Sequence, residues 1–469
     1  MPQNTNQMSR VDAEFFFAEQ DNMPLHMGSV AVFDGPAPAY SDVLRLFESK
    51  LPLVPRYRQV VQTVPGQILR PAWADDEHFT IRHQVHHARV PAPGGDEQLR
   101  AVAAKLFARP LDLSRPLWEE WFLEGLEGGR WALLSKLHHC MADGIGGNDL
   151  MSLVFDTDPD ARPPAPVKWV PAPGPSLAGR AADQVRDALT WPLRQLTATS
   201  AQLYRTTPEE LLEFGRGLGQ SAQRLIEPSA GFLNGPIGPR RRWAWTTTSL
   251  EELKQIRVAH GGTVNDVVLA AIAAAFRDLL AARDKLTDGL VVRSLVPVST
   301  RGPDETGVVT NLVSAVLVNL PAGEPDPLRR LTVIRQQMDS MKHQHQEVSG
   351  EVLQSMLGLS TSMLQALGAL AGFRSWQPVI QTVTTNVPGP RIPLYVLGRR
   401  MAALHPYVPI GASVRISIAI LSYLDTVSFG VTADYDSVPD LDVLVQGIQR
   451  ALAELSQAPV PAEPPVRRS

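Results

Sequence analysis

The chain has 469 residues, 44% of them apolar and 20% charged, with a formal net charge of −4. That length exceeds the roughly 250 to 300 residues at which a single core stops growing, so two domains of an ordinary soluble protein are expected. The charge balance excludes a broad basic face for nucleic acid, and the lone cysteine, Cys140, excludes an intrachain disulfide framework or a cysteine-rich zinc site and fits a reducing compartment.

In chain order, the start MPQNTNQMSRVDAEFFFAEQ lacks the basic start and apolar core of a signal peptide, which argues against export. Alternating or β-branched patterning predicts strands over 27–35 and 130–139, with helices over 41–51 and 96–108 around them. The pair His86 and His87, in IRHQVHHARVP, has no adjacent carboxylate and reads as part of a partly exposed strand. Residues 157–175, TDPDARPPAPVKWVPAPGP, are too rich in proline for a helix or central strand and read as an extended connector. Helical stretches broken at Pro192 and Pro208 follow, then NGPIGPRRRW; its Arg240, Arg241 and Arg242 read as a solvated surface run rather than a phosphate site. A helix over 264–282 precedes strands over 291–300, 308–321, 378–390, 413–423 and 426–436, and a last helix covers 440–457. The uncharged stretch 352–373 reads either as a buried core helix or as the lining of an acyl-chain tunnel or a membrane-surface segment; nothing in the chain makes a convincing membrane span. These elements give an α/β fold repeated on both sides of a break. The expected division is an N-terminal domain over 1–160, a proline-rich and helical crossover over 161–240, a C-terminal domain over 241–458 and a disordered tail over 459–469.

The chemistry concentrates in KLHHCMADGIGG, residues 136–147. If WALLSKLHH is a strand, His138 and His139 face opposite sides, so one ring can face a reacting group while the other supports it from behind. The glycines after Asp143, beginning with Gly144, let the backbone turn sharply into a helical pattern. A metal site would need further ligands at suitable spacing, and none accompanies the pair. A covalent mechanism would need an activated nucleophile, and the chain has no G-x-S-x-G elbow. General base catalysis remains: a neutral imidazole can take a proton from a hydroxyl or amine as it attacks an activated carbonyl.

HHCMADG matches the H-H-x-x-x-D-G motif of the chloramphenicol acetyltransferase-like superfamily of coenzyme A-dependent acyltransferases. MSRVDAEFFFAEQDNMPLHMGSVAVFDG, RPLWEEWFLEGL, LNGPIGPRRRWAW, TVNDVVLAA, VPVSTR and TTNVPGP, in that order along nearly the whole chain, resemble the bacterial wax ester synthase/diacylglycerol acyltransferase family. GVVTNLVSAVLVNLP departs from it in lacking a Gly-Asn pair at the strand start, which bears on substrate preference. The resemblance implies two coenzyme A-dependent acyltransferase-like domains, each a mixed sheet flanked by helices, with the active-site channel at their interface. It implies His139 as the base, its side chain exposed in the channel, His138 as a supporting ring, and Asp143 as a structural carboxylate paired with Arg301. Asn265 is implied either as an oxyanion donor or, from its position before VVLAAIAAAF, as a helix cap. Trp118, in PLW, reads as core, and Asn386, Pro388 and Gly389 as a turn bordering the channel. The implied reaction moves a long-chain acyl group from acyl-CoA to a fatty alcohol or diacylglycerol, with no permanent cofactor and no metal. Alternatives are another alcohol or amine acyltransferase of the superfamily, or a non-catalytic lipid-binding protein of the same fold. The implied setting is the cytoplasm, peripherally at the inner membrane or at lipid inclusions.

Overall fold

Side-chain alternation along residues 26–33 and 131–138 makes them neighbouring central strands, and the rest of the first half is built on that pair. The computed structural model describes residues 6–19, 22–64, 69–141, 154–164, 169–174, 176, 178–179, 181–182, 229–299, 313–347, 380–411 and 413–459. In the first half lie strands β1 (His26–Phe33), β2 (Gln59–Gln62), β3 (Ala72–Asp75), β4 (Val85–Arg89), β5 (Trp118–Glu124) and β6 (Trp131–His138), with helices α1 (Arg10–Ala18), α2 (Tyr40–Lys50) and α3 (Asp96–Ala108). The second half contributes β7 (Arg241–Ser249), β8 (Val292–Ser299), β9 (Val313–Leu320), β10 (Thr382–Val387), β11 (Tyr395–Val396), β12 (Arg399–Tyr407), β13 (Ile416–Tyr423) and β14 (Thr426–Asp434), with helices α4 (Leu250–His260), α5 (Val264–Ala282), α6 (Pro327–Glu347) and α7 (Leu441–Gln457). Among the described residues no helix is long and apolar enough to cross a membrane.

Two six-stranded mixed sheets result, ordered β11-β12-β1-β6-β5-β4 and β7-β14-β13-β10-β8-β9. β11 and β12 come from late in the chain yet complete the first sheet, with β12 antiparallel to β1. One face of the first sheet packs Phe33, Trp131 and Leu133 against Phe15 of α1 and Phe47 of α2. Its other face packs Val30, Val32 and Leu134 against Leu99 and Phe107 of α3 and against Trp243 and Trp245 of β7, which belongs to the second sheet. The second sheet buries Ile416, Ile418, Phe429 and Val431 against α5, α6 and α7. α5 is buried from Asp266 to Phe276, as its nearly unbroken apolar sequence requires.

The halves meet at the backbone itself. Gly430 of β14 lies so close to β12 that a Cβ there would sit 1.8 Å from the Pro406 carbonyl oxygen. That oxygen accepts a hydrogen bond from Trp243 Nε1 at 3.1 Å. His405, stacked on Trp245 at 4.3 Å, bonds Ser428 at 2.9 Å across the same junction.

Most predicted elements are found within a residue or two. The strand expected over 378–390 spans only Thr382–Val387, because Pro388 has no N–H to extend the ladder and the Gly389 N–H goes to Ser422 Oγ at 3.0 Å. His86 and His87 do lie on a partly exposed strand, stacked on Trp121 and on Tyr40 and Phe122, and Glu124 of β5 supplies a carboxylate 3.5 Å from His87. The arginine run is not simply solvated. Arg241 is buried and donates to the carbonyls of Gly238, Arg240 and Asn22, while Arg240 and Arg242 stack on Tyr435. Segment 352–373, the start of the 308–321 strand and the tail from 460 lie outside the described residues.

Two expected outcomes follow from this packing. Gly430→Ala forces the sheets apart and lowers the melting temperature by several degrees, while Gly238→Ala, whose added Cβ meets only the carboxylate tips of Asp436 and Asp434 at 3.4 and 3.5 Å, changes it much less. The second concerns pH. Burial pushes the Glu120 carboxyl up to about 8 from 4.5, against the hydrogen bond that Ser135 donates to it at 2.9 Å. The unfolded chain releases that proton first, so stability falls as pH rises from about 4.5 to 8, by at most roughly 1.4 kcal/mol per unit. Burial also pushes His26 well below 6.5 and His405 down to about 3, so acid costs stability below pH 6.5, where the unfolded imidazoles take up protons first. Thermal melts against pH are expected to peak near pH 6.5, and Glu120→Gln to flatten the alkaline side between 6.5 and 8. An unchanged alkaline side in that variant contradicts the assignment.

Candidate active site

β6 runs to its end through the most enclosed part of the first sheet, and the histidine pair sits where it stops. The strand closes at His138, and His139–Met141 form a 3-10 turn. Alternation therefore ends one residue earlier than the sequence pattern suggested, yet the two rings still part company. His139 stacks on Phe15 with ring centres 5.2 Å apart and planes 18° apart. His138 faces Phe16 at 6.3 Å, and its Nε2 lies 3.0 Å from Glu19 Oε2.

Both rings are buried: His138 is 0% exposed and His139 2%. The expected exposed channel side chain is thus a correction, because α1 covers the turn and closes it from water. Burial, and then the neighbouring His138, push the His139 imidazole down to about 3. At cellular pH it is neutral and keeps a lone pair, and neither of its nitrogens meets a polar partner among the described residues. Its backbone is fixed, since the His139 N–H donates to the Leu25 carbonyl at 3.0 Å. His138 is held more fully. Its Nδ1 accepts the Cys140 backbone N–H at 3.1 Å and lies 3.0 Å from the Cys140 Sγ, which leaves the ring hydrogen on Nε2, the nitrogen 3.0 Å from Glu19 Oε2 but not aligned with it. The Cys140 thiol is buried, and burial pushes it well above its ordinary range, so it is no thiolate nucleophile.

Around the pair lies further buried charge. His26 is opposite His138 in the β1–β6 register and stacks on Tyr407 at 5.6 Å. Lys136 Nζ is satisfied by the Arg109 carbonyl at 2.7 Å and Glu119 at 3.1 Å. Trp118 is core, as expected, with its Nε1 donating to the Tyr57 carbonyl at 2.8 Å.

Asn265 is not the cap of its helix. Thr263 caps α5: its Oγ1 accepts from the Asp266 N–H at 3.2 Å, and Asp266 Oδ2 accepts from the Thr263 N–H at 2.7 Å. The sequence reading placed the cap two residues late because the threonine signal sits behind two glycines. Asn265 instead accepts from Asn386 Nδ2 at 3.1 Å, so the TVND and TTNVPGP stretches meet in space. Gly389, in the second of these, passes so close to the Ser422 carbonyl that a Cβ would sit 1.8 Å from its oxygen. Asp143, Gly144 and Arg301 lie outside the described residues. Sequence reasoning assigned no role to Phe15, Phe16 or Glu19; the available signal was a carboxylate at the C-terminal end of a short helix, where the dipole disfavours it.

Residues 8–268 match the wax ester synthase/diacylglycerol acyltransferase catalytic domain, and residues 309–456 the C-terminal domain of the same family. The chain is 34% identical over 452 residues to the Mycobacterium tuberculosis protein named probable diacylglycerol O-acyltransferase tgs1, covering 96% of each. It is 30% identical over 462 residues to the tgs2 protein of that organism, covering 95% of this chain and 98% of the other. Its fold resembles the wax ester synthase/diacylglycerol acyltransferase from Marinobacter aquaeolei, with a TM-score of 0.70 at 24% identity over 96% of this chain and 98% of that one. It also resembles the starter condensation domain of rhizomide synthetase, at a TM-score of 0.55, 15% identity and 96% and 94% coverage. With a histidine-bearing turn at the end of a central strand of the first sheet and matches that run through both halves, the chain belongs to the wax ester synthase/diacylglycerol acyltransferase family and is an acyl-CoA-dependent O-acyltransferase.

Proposed function

We propose that this chain transfers a long-chain acyl group from acyl-CoA directly to the hydroxyl of a fatty alcohol or diacylglycerol, with His139 as general base and no acyl-enzyme. The observation that carries the reading is the His139 ring itself: neutral, shielded from water, and with neither nitrogen occupied by a polar partner among the described residues. The ring takes the hydroxyl proton as the oxygen attacks the thioester carbonyl. The tetrahedral oxyanion then collapses, the carbon–sulfur bond breaks, and the same proton passes to the departing thiolate of coenzyme A.

In this reading Asn265 donates an amide N–H to the developing oxyanion, a contribution on the order of 3 kcal/mol in other enzymes. Its Oδ1 already accepts from Asn386 Nδ2 at 3.1 Å, so the group it has to offer the oxyanion is its Nδ2. His138 supports the turn, Gly144 lets the backbone bend after it, and Asp143 pairs with Arg301 to hold the loop. The parts over 1–160 and 241–458 form the two walls of the channel, joined by the crossover over 161–240. Each buried methylene of the acyl chain contributes about 0.8 kcal/mol, so an apolar tunnel suffices to select long chains. Relatives named as diacylglycerol O-acyltransferases support the acceptor class, and apolar acceptors favour work at the surface of the inner membrane or of a lipid inclusion.

The direct test is purified protein with palmitoyl-CoA and a panel of hexadecanol, diacylglycerol, short alcohols and amines, following release of the coenzyme A thiol. Release with the long-chain hydroxyl acceptors is expected. Release with amines alone would move the reading to amide formation, and none with any acceptor would move it to a lipid-binding protein.

The two histidines are expected to separate under substitution. His139→Ala should lose 10² to 10⁴ in kcat, about 3 to 5 kcal/mol of barrier, and, because the ring is packed on Phe15, some thermal stability as well. His139→Gln keeps more of the volume and should lose the same activity with a smaller change in melting temperature. His138→Ala should be the less stable of the alanine variants, since it leaves the Glu19 carboxylate buried without its ring partner. A His138→Ala that is stable and inactive beside an active His139→Ala would reverse the assignment.

A further inference from the structure

We propose that Glu19 is a positioning residue for the acyl transfer: its carboxylate fixes the tautomer of His138 and, through Leu25 and Cys140, the backbone that presents His139. The role rests on His139 being the base. Glu19 terminates α1, and its side chain is 6% exposed. A carboxylate is doubly disfavoured there, by burial and by the negative end of the helix dipole, so its contacts must compensate. Its Oε2 accepts the Leu25 N–H at 2.8 Å and lies 3.0 Å from His138 Nε2, a close contact bent away from the ring N–H axis.

Those two contacts enclose the base from both sides. Leu25 is held by Glu19 through its N–H and holds the His139 N–H through its carbonyl at 3.0 Å. His138 has its Nε2 against the same carboxylate at 3.0 Å and accepts the Cys140 N–H at Nδ1, so one carboxylate touches the ring that ties together the residues before and after His139. Were the hydrogen of His138 on Nδ1, it would oppose the Cys140 N–H, and the 3-10 turn would lose that bond. Phe15 and Phe16, on the last turn of the same helix, press on His139 and His138 respectively. The other titratable groups facing the pair are His26 on β1, Lys136 on β6 and the Cys140 thiol, and the carboxylate raises the last two electrostatically. No signal in HHCMADG points to α1; the link is made only when α1 folds over the turn.

The test combines kinetics with nitrogen-15 spectra of histidine-labelled protein. In the parent protein His138 is expected as the neutral tautomer with hydrogen on Nε2. Glu19→Gln, which keeps the shape and loses the charge, is expected to lower kcat by about 10- to 100-fold with the KM for palmitoyl-CoA within about twofold, and Glu19→Asp to recover part of the loss. A purely structural residue would change the folded fraction and leave kcat per folded molecule alone. A folded Glu19→Gln with parent kcat, or a parent His138 carrying its hydrogen on Nδ1, overturns the proposal; the spectrum of the parent needs no variant to fold. His139→Ala with parent activity would instead remove the base, while leaving the tautomer measurement to stand or fall alone.

Discussion

Exclusion of water from the turn at the end of β6 is the constraint from which the rest of the site follows. An imidazole in water is half-charged near pH 6.5, whereas His139, covered by α1 and stacked on Phe15, is neutral throughout the physiological range. Covering it requires a helix on one side, the β1–β6 pair beneath and a fixed backbone, and each of these is visible in the contacts of Phe15, Leu25 and Glu19. The same dryness raises the Cys140 thiol and removes it as a competing nucleophile.

Dryness is paid for in buried charge that has to be matched. Lys136 is matched by Glu119 and the Arg109 carbonyl, Arg241 by three carbonyls, and Glu120 by keeping its proton. The two sheets are brought to backbone contact at Gly430 and Pro406, and the Trp243 and His405 bonds stitch the same junction. That junction sets how β12, the neighbour of β1, lies over the second sheet. The first sheet that carries the histidine turn is therefore completed by strands from both halves of the chain, even though the histidines come from one.

Much of this was legible in the residues. Helices over 96–108 and 264–282 announce themselves by period and composition, and the adjacent histidines before Asp-Gly carry the family motif. β12 was not legible: RRMAALHPY opens on two arginines and carries a proline, and only its place between β11 and β1 makes it a strand. The cap of α5 was misplaced because Thr263 and Asp266 act as a pair three residues apart, while the eye falls on Asn265 between them. Nor does the sequence reveal that Asn265 and Asn386, 121 residues apart, share a hydrogen bond. Burial of His139 was missed for the same reason as Glu19. The turn at His139–Met141 is covered by a helix from the other end of the domain, and local patterning carries no information about that contact.

Under the proposed direct transfer with a dry, neutral base, nothing leaves the thioester until the acceptor arrives. The most direct test is rapid mixing of the protein with palmitoyl-CoA in the absence of any alcohol, with coenzyme A release and intact mass followed together. No stoichiometric burst and no added acyl mass are expected, with release beginning only when hexadecanol or diacylglycerol is supplied. A burst equal to the enzyme concentration, with an acyl group on His139 or Cys140 that then passes to the alcohol, would contradict direct transfer.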